Sequence, residues 1–123
     1  VITVPLHAIA HARTGDKGNR LNVVVIAHHP DVWPVLTEQV TEARIAALFA
    51  HRRPTAVRRY LLPNLHALNL VIDDVLEGGV NAALNLDGHG KTLSFLVLTL
   101  PVVVPAEALA AVRATLDARA HRP

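Results

Sequence analysis

The chain has 123 residues, 51% hydrophobic and 18% charged: enough apolar content for one buried core and too much for disorder. It lacks cysteine, which excludes disulfide scaffolds, thiolate metal sites and cysteine nucleophiles. The net charge is only +2, and the aromatics are just Trp33, Phe49, Tyr60 and Phe95, too few for base-stacking platforms, so nucleic acid is disfavoured as a partner.

Val4–Arg13 alternates, with Val4, Leu6, Ala8, Ala10 and Ala12 on one parity and His7, Ile9, His11 and Arg13 on the other, which predicts a strand with one mixed face. Residues 14–20, rich in Gly and charge, predict a loop. The Val/Ile run Asn22–Ala27 predicts a strand buried on both faces. Asp31 to about Ala50 predicts a helix with Leu36, Val40, Ala43, Ala47 and Leu48 on one stripe. Thr55–Leu62 predicts a third strand closed by Pro63-Asn64. Asn64 would cap a helix over Leu65–Leu76, stopped by Gly78-Gly79, with Asp73, Asp74 and Glu77 on its solvated face. Val80 to Leu100 predicts a β-hairpin turning at Asp87-Gly88-His89-Gly90, and Pro105 opens a last helix with Leu109, Val112 and Leu116 inward.

The expected order is β-β-α-β-α-β-β-α, a single α+β domain over 1–123: a two-layer sandwich with an open, mostly antiparallel sheet and helices on one face. An uncovered, half-apolar sheet face implies a homo- or hetero-oligomer. Leu93–Pro105, the longest nearly uncharged run, is too short to span a bilayer, so no membrane partner is expected. No secretory signal is legible, and Val at position 1 fits a processed start; the expected compartment is the cytoplasm.

Arg13-Thr14-Gly15-Asp16-Lys17-Gly18-Asn19 is the most informative stretch. Its glycines permit a concave loop exposing backbone N–H groups, flanked by Arg13, Lys17 and Arg20, which suits a phosphate or carboxylate. Asp16 beside Lys17 could form a proton-transfer pair; Asp16 and Asn19 bonding to their own backbone is the bland alternative. His11, two residues from Arg13 on the same face, is the best acid–base histidine. His7 and His11 stand about 13 Å apart on an extended strand, His28 and His29 point to opposite faces, and no metal or other cofactor is expected. Gly88-His89-Gly90-Lys91-Thr92 lacks the first glycine of a phosphate-binding loop, Asn85 standing there, yet Lys91 could point into a site. Asn69 shares a helical stripe with Leu65, Ile72 and Leu76, and a buried amide needs partners or a ligand. Arg52, Arg53, Arg58 and Arg59 read as a solvent face or an anionic-ligand rim.

Taken together, these stretches resemble the AtuA-like domain of acyclic terpene utilisation proteins. Residues Arg13 to Asn19 with Asn22-Val23 resemble its first signature, and Tyr60-x-Leu62-Pro63-Asn64-Leu65-x-Ala67-Leu68-Asn69 its second. Leu76-Glu77-Gly78-Gly79-Val80 and Asp87-Gly88-x-Gly90-Lys91-Thr92 resemble the third and fourth, so the likeness covers about 7–101 and leaves the helix at 105–120 as an addition. Thr14 stands where Ser is usual, and His89 where Gln is common. The resemblance implies a ferredoxin-like fold and a larger AtuA-like catalytic subunit or domain as partner, near enzymes of acyl-CoA metabolism. A stand-alone small subunit or an excised domain follows.

Three functions are carried forward. In the first, the chain is a small subunit handling a CoA thioester or carboxylate metabolite. Arg13, Thr14, Gly15, Gly18 and Asn19, with Asn64, Asn69 and Lys91, would complete its anion site at the interface, and Asp16 would transfer a proton. The second is a non-enzymatic, self-associating ligand-binding module. The third is an independent hydratase or isomerase using Asp16 and His11 as acid and base, with Lys17 beside Asp16 as the other catalytic candidate; a 123-residue domain rarely encloses a CoA-sized substrate alone, which ranks it last.

Overall fold

The computed structural model describes residues 1–18, 20–75 and 93–120. Strands β1 (Ile2–Pro5) and β2 (Ala10–Lys17) are separated by a 3-10 turn at Leu6–Ala8, so the expected strand at Val4–Arg13 is two. Strand β3 (Arg20–Ala27) follows, then helices α1 (Trp33–Gln39) and α2 (Glu42–Leu48). Next come β4 (Ala56–Leu62), a 3-10 turn at Pro63–Leu65 and β5 (Ala67–Asp73). Helical residues 93–98 (α3), β6 (Pro101–Val104) and α4 (Ala106–Ala120) complete the described chain. The four larger strands form one antiparallel sheet in the order β2-β3-β5-β4, and β1 pairs antiparallel with β6 in a second. This is an α+β fold consistent with a ferredoxin-like domain.

Parity along the strands places the core. Leu21, Val23 and Val25 of β3 and Leu68, Leu70 and Ile72 of β5 point to one face and are fully buried. They share a core cluster with Leu36 of α1, Ile45 of α2, Leu93 and Val97 of α3, and Leu109 and Val112 of α4. Burying side chains of this size contributes roughly 1.5–3 kcal/mol each. Leu116 is half-buried against the cluster, so the inward stripe expected for the last helix is present.

The expected long helix at Asp31–Ala50 breaks at Val40-Thr41. Thr41 accepts a hydrogen bond from Arg44 N–H on its side chain and starts a new helix. The restart rotates the stripe: Ile45 and Phe49 are buried, whereas Ala43 and Ala47 are exposed. Arginine clamps the break. Arg59 Nη1 donates to the carbonyls of Thr37 (2.7 Å) and Val40 (2.9 Å), and Arg44 reaches Gln39 and Pro101 carbonyls.

Two expectations are corrected. The helix expected at Leu65–Leu76 is strand β5, in which Leu68, Leu70 and Ile72 alternate with Asn69, Val71 and Asp73, and ladders on both sides outweigh the helical stripe. Asp73 and Asp74 are therefore not on a helix. Asp73 accepts from Arg20 across the ladder, and Asp74 accepts from Thr55 Oγ1 with φ +63°. The strand expected at Lys91–Leu100 is helical at 93–98, because Leu93, Val97 and Leu100 at spacings of four and three all reach the core. The expected first arm of that hairpin, its turn, the Gly78-Gly79 stop and the last two signatures lie outside the described residues, as do Asn19 and Lys91. Among the described residues no helix is long and apolar enough to cross a membrane.

Candidate functional site on the open sheet face

The other face of the four-stranded sheet carries most of the polar residues that the sequence singles out. The register sets them in rows across β2, β3, β5 and β4. One row is Arg13, Val24, Asn69 and Tyr60; the next is Gly15, Asn22, Val71 and Arg58. Beyond these, Arg20 and Asp73 stand opposite each other and form a 2.6 Å ion pair. On the other side, His11, Ile26, Ala67 and Leu62 form the fourth row, with His28 just past the end of β3.

Four side-chain polar atoms here are buried and unpartnered: His11 Nδ1, Asn22 Oδ1, His28 Nδ1 and Asn69 Oδ1. Nearly every buried polar atom in a folded protein finds a partner, and leaving one without costs about 1–3 kcal/mol. All four concentrate on one sheet face. Asn22 and Asn69 are diagonal neighbours across the β3–β5 ladder, about 7–8 Å apart. His11 and His28 stack with ring centroids 5.2 Å apart and planes at 27°. Desolvation lowers both imidazole pKa values. Nearby Arg13 and Arg119 add to this at His11, and His11 and Arg119 at His28, so both rings favour the neutral form.

Cations border the face. Arg13 on β2 and Arg58 on β4 are exposed, and neither guanidinium makes an ion pair or hydrogen bond among the described residues. They lie on opposite edge strands, about 14 Å apart by strand spacing. Two residues beyond Arg13 on the same edge strand Gly15 leaves a gap, since a Cβ built there would have no neighbour within 4 Å. Val24 and Val71, both half-buried, make an aliphatic floor. Chemically the face offers two guanidinium groups, two carboxamides, a phenol and two imidazoles over an apolar base: the guanidinium groups suit a small oxyanion, and the unpartnered carboxamide oxygens accept from a donor beside it.

The structure moves the centre of the expected site from a loop to a strand surface. Residues 14–17 continue β2, and among the described residues Gly18, with φ +63°, lies in the tight turn between the paired residues Lys17 and Arg20. Arg13, Gly15, Asn69 and His11 are brought onto one face. Thr14 has the opposite parity and is exposed; Asp16 and Lys17 hold the register positions facing Leu21 and Arg20. Asp16 is five residues from His11 on an extended strand, about 17 Å, so the two do not share a reacting atom. Asn64 is exposed in the 3-10 turn, where its side chain caps nothing. It lies at the end of the sheet opposite Gly18, at least about 20 Å along β3, and is not brought to the Arg13–Gly18 segment.

The sequence places Asn22 in the first signature and weighs His28 only as a metal ligand, and assigns neither to the site. Asn22 interrupts an aliphatic run and is the available signal; His28 gives none, because its contact with His11 follows from the register. His7 is not on a strand but exposed in the Leu6–Ala8 turn, and His29 caps the Pro30–Val32 turn by accepting from Asp31 N–H at 3.0 Å. The basic cluster divides. Arg52 and Arg59 bind backbone carbonyls, while Arg58 joins the face. Among the described residues no three His, Cys, Asp or Glu side chains group as metal ligands.

Comparison with curated proteins and with solved structures finds no match. The family model of the AtuA ferredoxin-like domain matches residues 4–103, a span that contains every strand of the sheet face from Arg13 to Asp73. The chain therefore belongs to the AtuA ferredoxin-like domain family.

Proposed function

We propose that the chain is an accessory domain or separate small subunit of a cytoplasmic AtuA-like assembly acting on a CoA thioester or carboxylate metabolite of terpenoid or acyl catabolism. Its open sheet face completes an anion-binding site against the larger chain. The observation that carries this reading is the set of four unpartnered buried polar atoms sharing one face with Arg13 and Arg58, whose side chains are unpaired among the described residues. A fold that tolerates such a set gains from a ligand that satisfies it, and because the two asparagine oxygens accept, that ligand carries hydrogen-bond donors beside the anionic group held by arginine. A sheet face is shallow, and small ligands bind in concave sites, so a second surface must close over it; the larger chain supplies that surface.

Arg13 holds the anionic group, and Asn22 and Asn69 turn their carboxamides to its polar neighbours. Gly15 keeps the approach clear. Thr14, Asp16, Lys17 and Gly18 follow Arg13 towards the hairpin end, where Asp16 with Lys17 is the proton-transfer candidate; Asn19, Lys91 and Asn64 are offered as additional contacts to the larger chain.

Purification of the tagged chain from its host, with partner identity and stoichiometry read by mass spectrometry, tests the assembly. A stoichiometric AtuA-like large chain is expected, with activity of the complex reduced at least tenfold by Arg13→Ala and by Asn69→Ala. Full activity in both variants would remove the site assignment. Self-association is the second reading, favoured by the exposed apolar strip Tyr60, Leu61, Leu62 and Leu65 at the β4 edge. A concentration-dependent homo-oligomer disrupted by Leu65→Asp, with no large chain bound, would establish it instead.

A further inference from the structure

The two imidazoles are the part of the face left without a role. His11 and His28 stack at 5.2 Å, each with a buried Nδ1 that meets no donor or acceptor. The charged groups acting on them are Arg13 from β2 and Arg119 from α4, both cationic, and no described carboxylate contributes. Two cations disfavour a metal ion between these rings. They equally disfavour protonation while the face holds no anion.

An oxyanion at Arg13 reverses that balance. Its charge offsets Arg13 and favours an imidazolium in the row beside it. Two imidazolium rings 5.2 Å apart would repel, so the stacked pair takes one proton between them rather than two. We propose that the His11–His28 pair takes up one proton from solvent when an oxyanion settles on the open sheet face, making anion binding there proton-coupled. The inference rests on the face being the anion site, as proposed above, and assigns His28 to it as a positioning residue acting through His11.

Sulfate is the probe, because its charge stays constant across the range of interest. Its affinity for the full chain is measured by calorimetry from about pH 8 to about pH 5 at fixed ionic strength, with the Asn22 and Asn69 side-chain amides followed by NMR. Binding is expected to tighten on acidification, approaching tenfold per pH unit at its steepest, the limit for one proton. Heats in buffers of different ionisation enthalpy should report uptake of up to one proton. His28→Gln and His11→Gln should each weaken the pH dependence while the fold persists by circular dichroism.

Sulfate that shifts the Asn69 amide with an affinity independent of pH would overturn the proton coupling and leave the face as the site. A pH dependence unchanged in both variants would also overturn it, placing the proton elsewhere. Sulfate that moves neither asparagine amide at any pH would remove the face reading, and this inference with it.

Discussion

Asn22 and Asn69 face the same side of the sheet as diagonal neighbours across the β3–β5 ladder, and each buries a side-chain oxygen that no described residue hydrogen-bonds. An asparagine held for structure loses stability when removed; one held for a ligand does not. Replacing a buried, unpartnered carboxamide by an apolar group of similar size relieves a desolvation cost. Asn69→Leu and Asn22→Val are therefore expected to leave the unfolding free energy unchanged or raise it by about 1 kcal/mol. Urea melts check this, and a loss above about 2 kcal/mol would assign both residues to structure.

The arginines behave oppositely. Arg59 bridges two carbonyls at the end of α1, and its own N–H donates to Glu42 at 2.8 Å. Arg59→Ala should cost about 2 kcal/mol, since hydrogen bonds from a charged donor to otherwise orphaned carbonyls are lost. Arg13→Ala and Arg58→Ala remove no side-chain hydrogen bond or ion pair among the described residues and should stay within about 0.5 kcal/mol of the parent. Equal losses at Arg59 and Arg13 in denaturant melts would contradict the division of labour.

The two glycines of the first signature separate in the same way. Gly18 has φ +63° in the hairpin turn, so Gly18→Ala should cost about 1 kcal/mol. Gly15 is in the strand with open space where a Cβ would stand, so Gly15→Ala should be neutral in thermal melts yet weaken anion binding by narrowing the face. Neutral binding in Gly15→Ala would show that the gap is not occupied.

Histidine sets the expected pH dependence of stability. The folded state depresses the His11 and His28 pKa values, chiefly by desolvation, so the unfolded chain binds protons more readily. Their contribution is complete above about pH 6.5, the unfolded value, and is lost as pH falls towards the folded values. The melting temperature should drop on acidification through that window, and less steeply in His11→Gln/His28→Gln. A double variant with the parent's pH profile would place the acid sensitivity elsewhere.

The local signals that made elements legible were one-sided. Asn22–Ala27 and Thr55–Leu62 are strand in either environment, being rich in β-branched residues or bounded by Pro; the first sits within β3, and the second is β4 with Thr55 just before it. Leu65–Leu76 carried two periodicities at once: Leu65, Ile72 and Leu76 fit a helix, while Leu68, Leu70 and Ile72 fit a strand. Pairing with β3 and β4, invisible locally, decided it. The final apolar run misled for the converse reason, since Leu93, Val97 and Leu100 fit a buried helix as well as a strand.

The candidate site was partly legible on the same terms. Arg13, Gly15 and Asn69 stood out as polar or Gly residues in conspicuous settings. Their meeting place depended on β2 extending to Lys17 and on the order β2-β3-β5-β4. Once that order exists, His28 reaches His11, and Asn64 is carried to the far end of the sheet.

The most direct measurement is a sulfate titration at about pH 6 followed through assigned side-chain amides and backbone amides by NMR. Saturable shifts at the Asn22 and Asn69 carboxamides and at Gly15 N–H, abolished by Arg13→Ala, are the expected result. Saturable shifts confined to Gly18 and Arg20, with the asparagines unmoved, would return the anion to the hairpin turn and contradict the assignment to the sheet face.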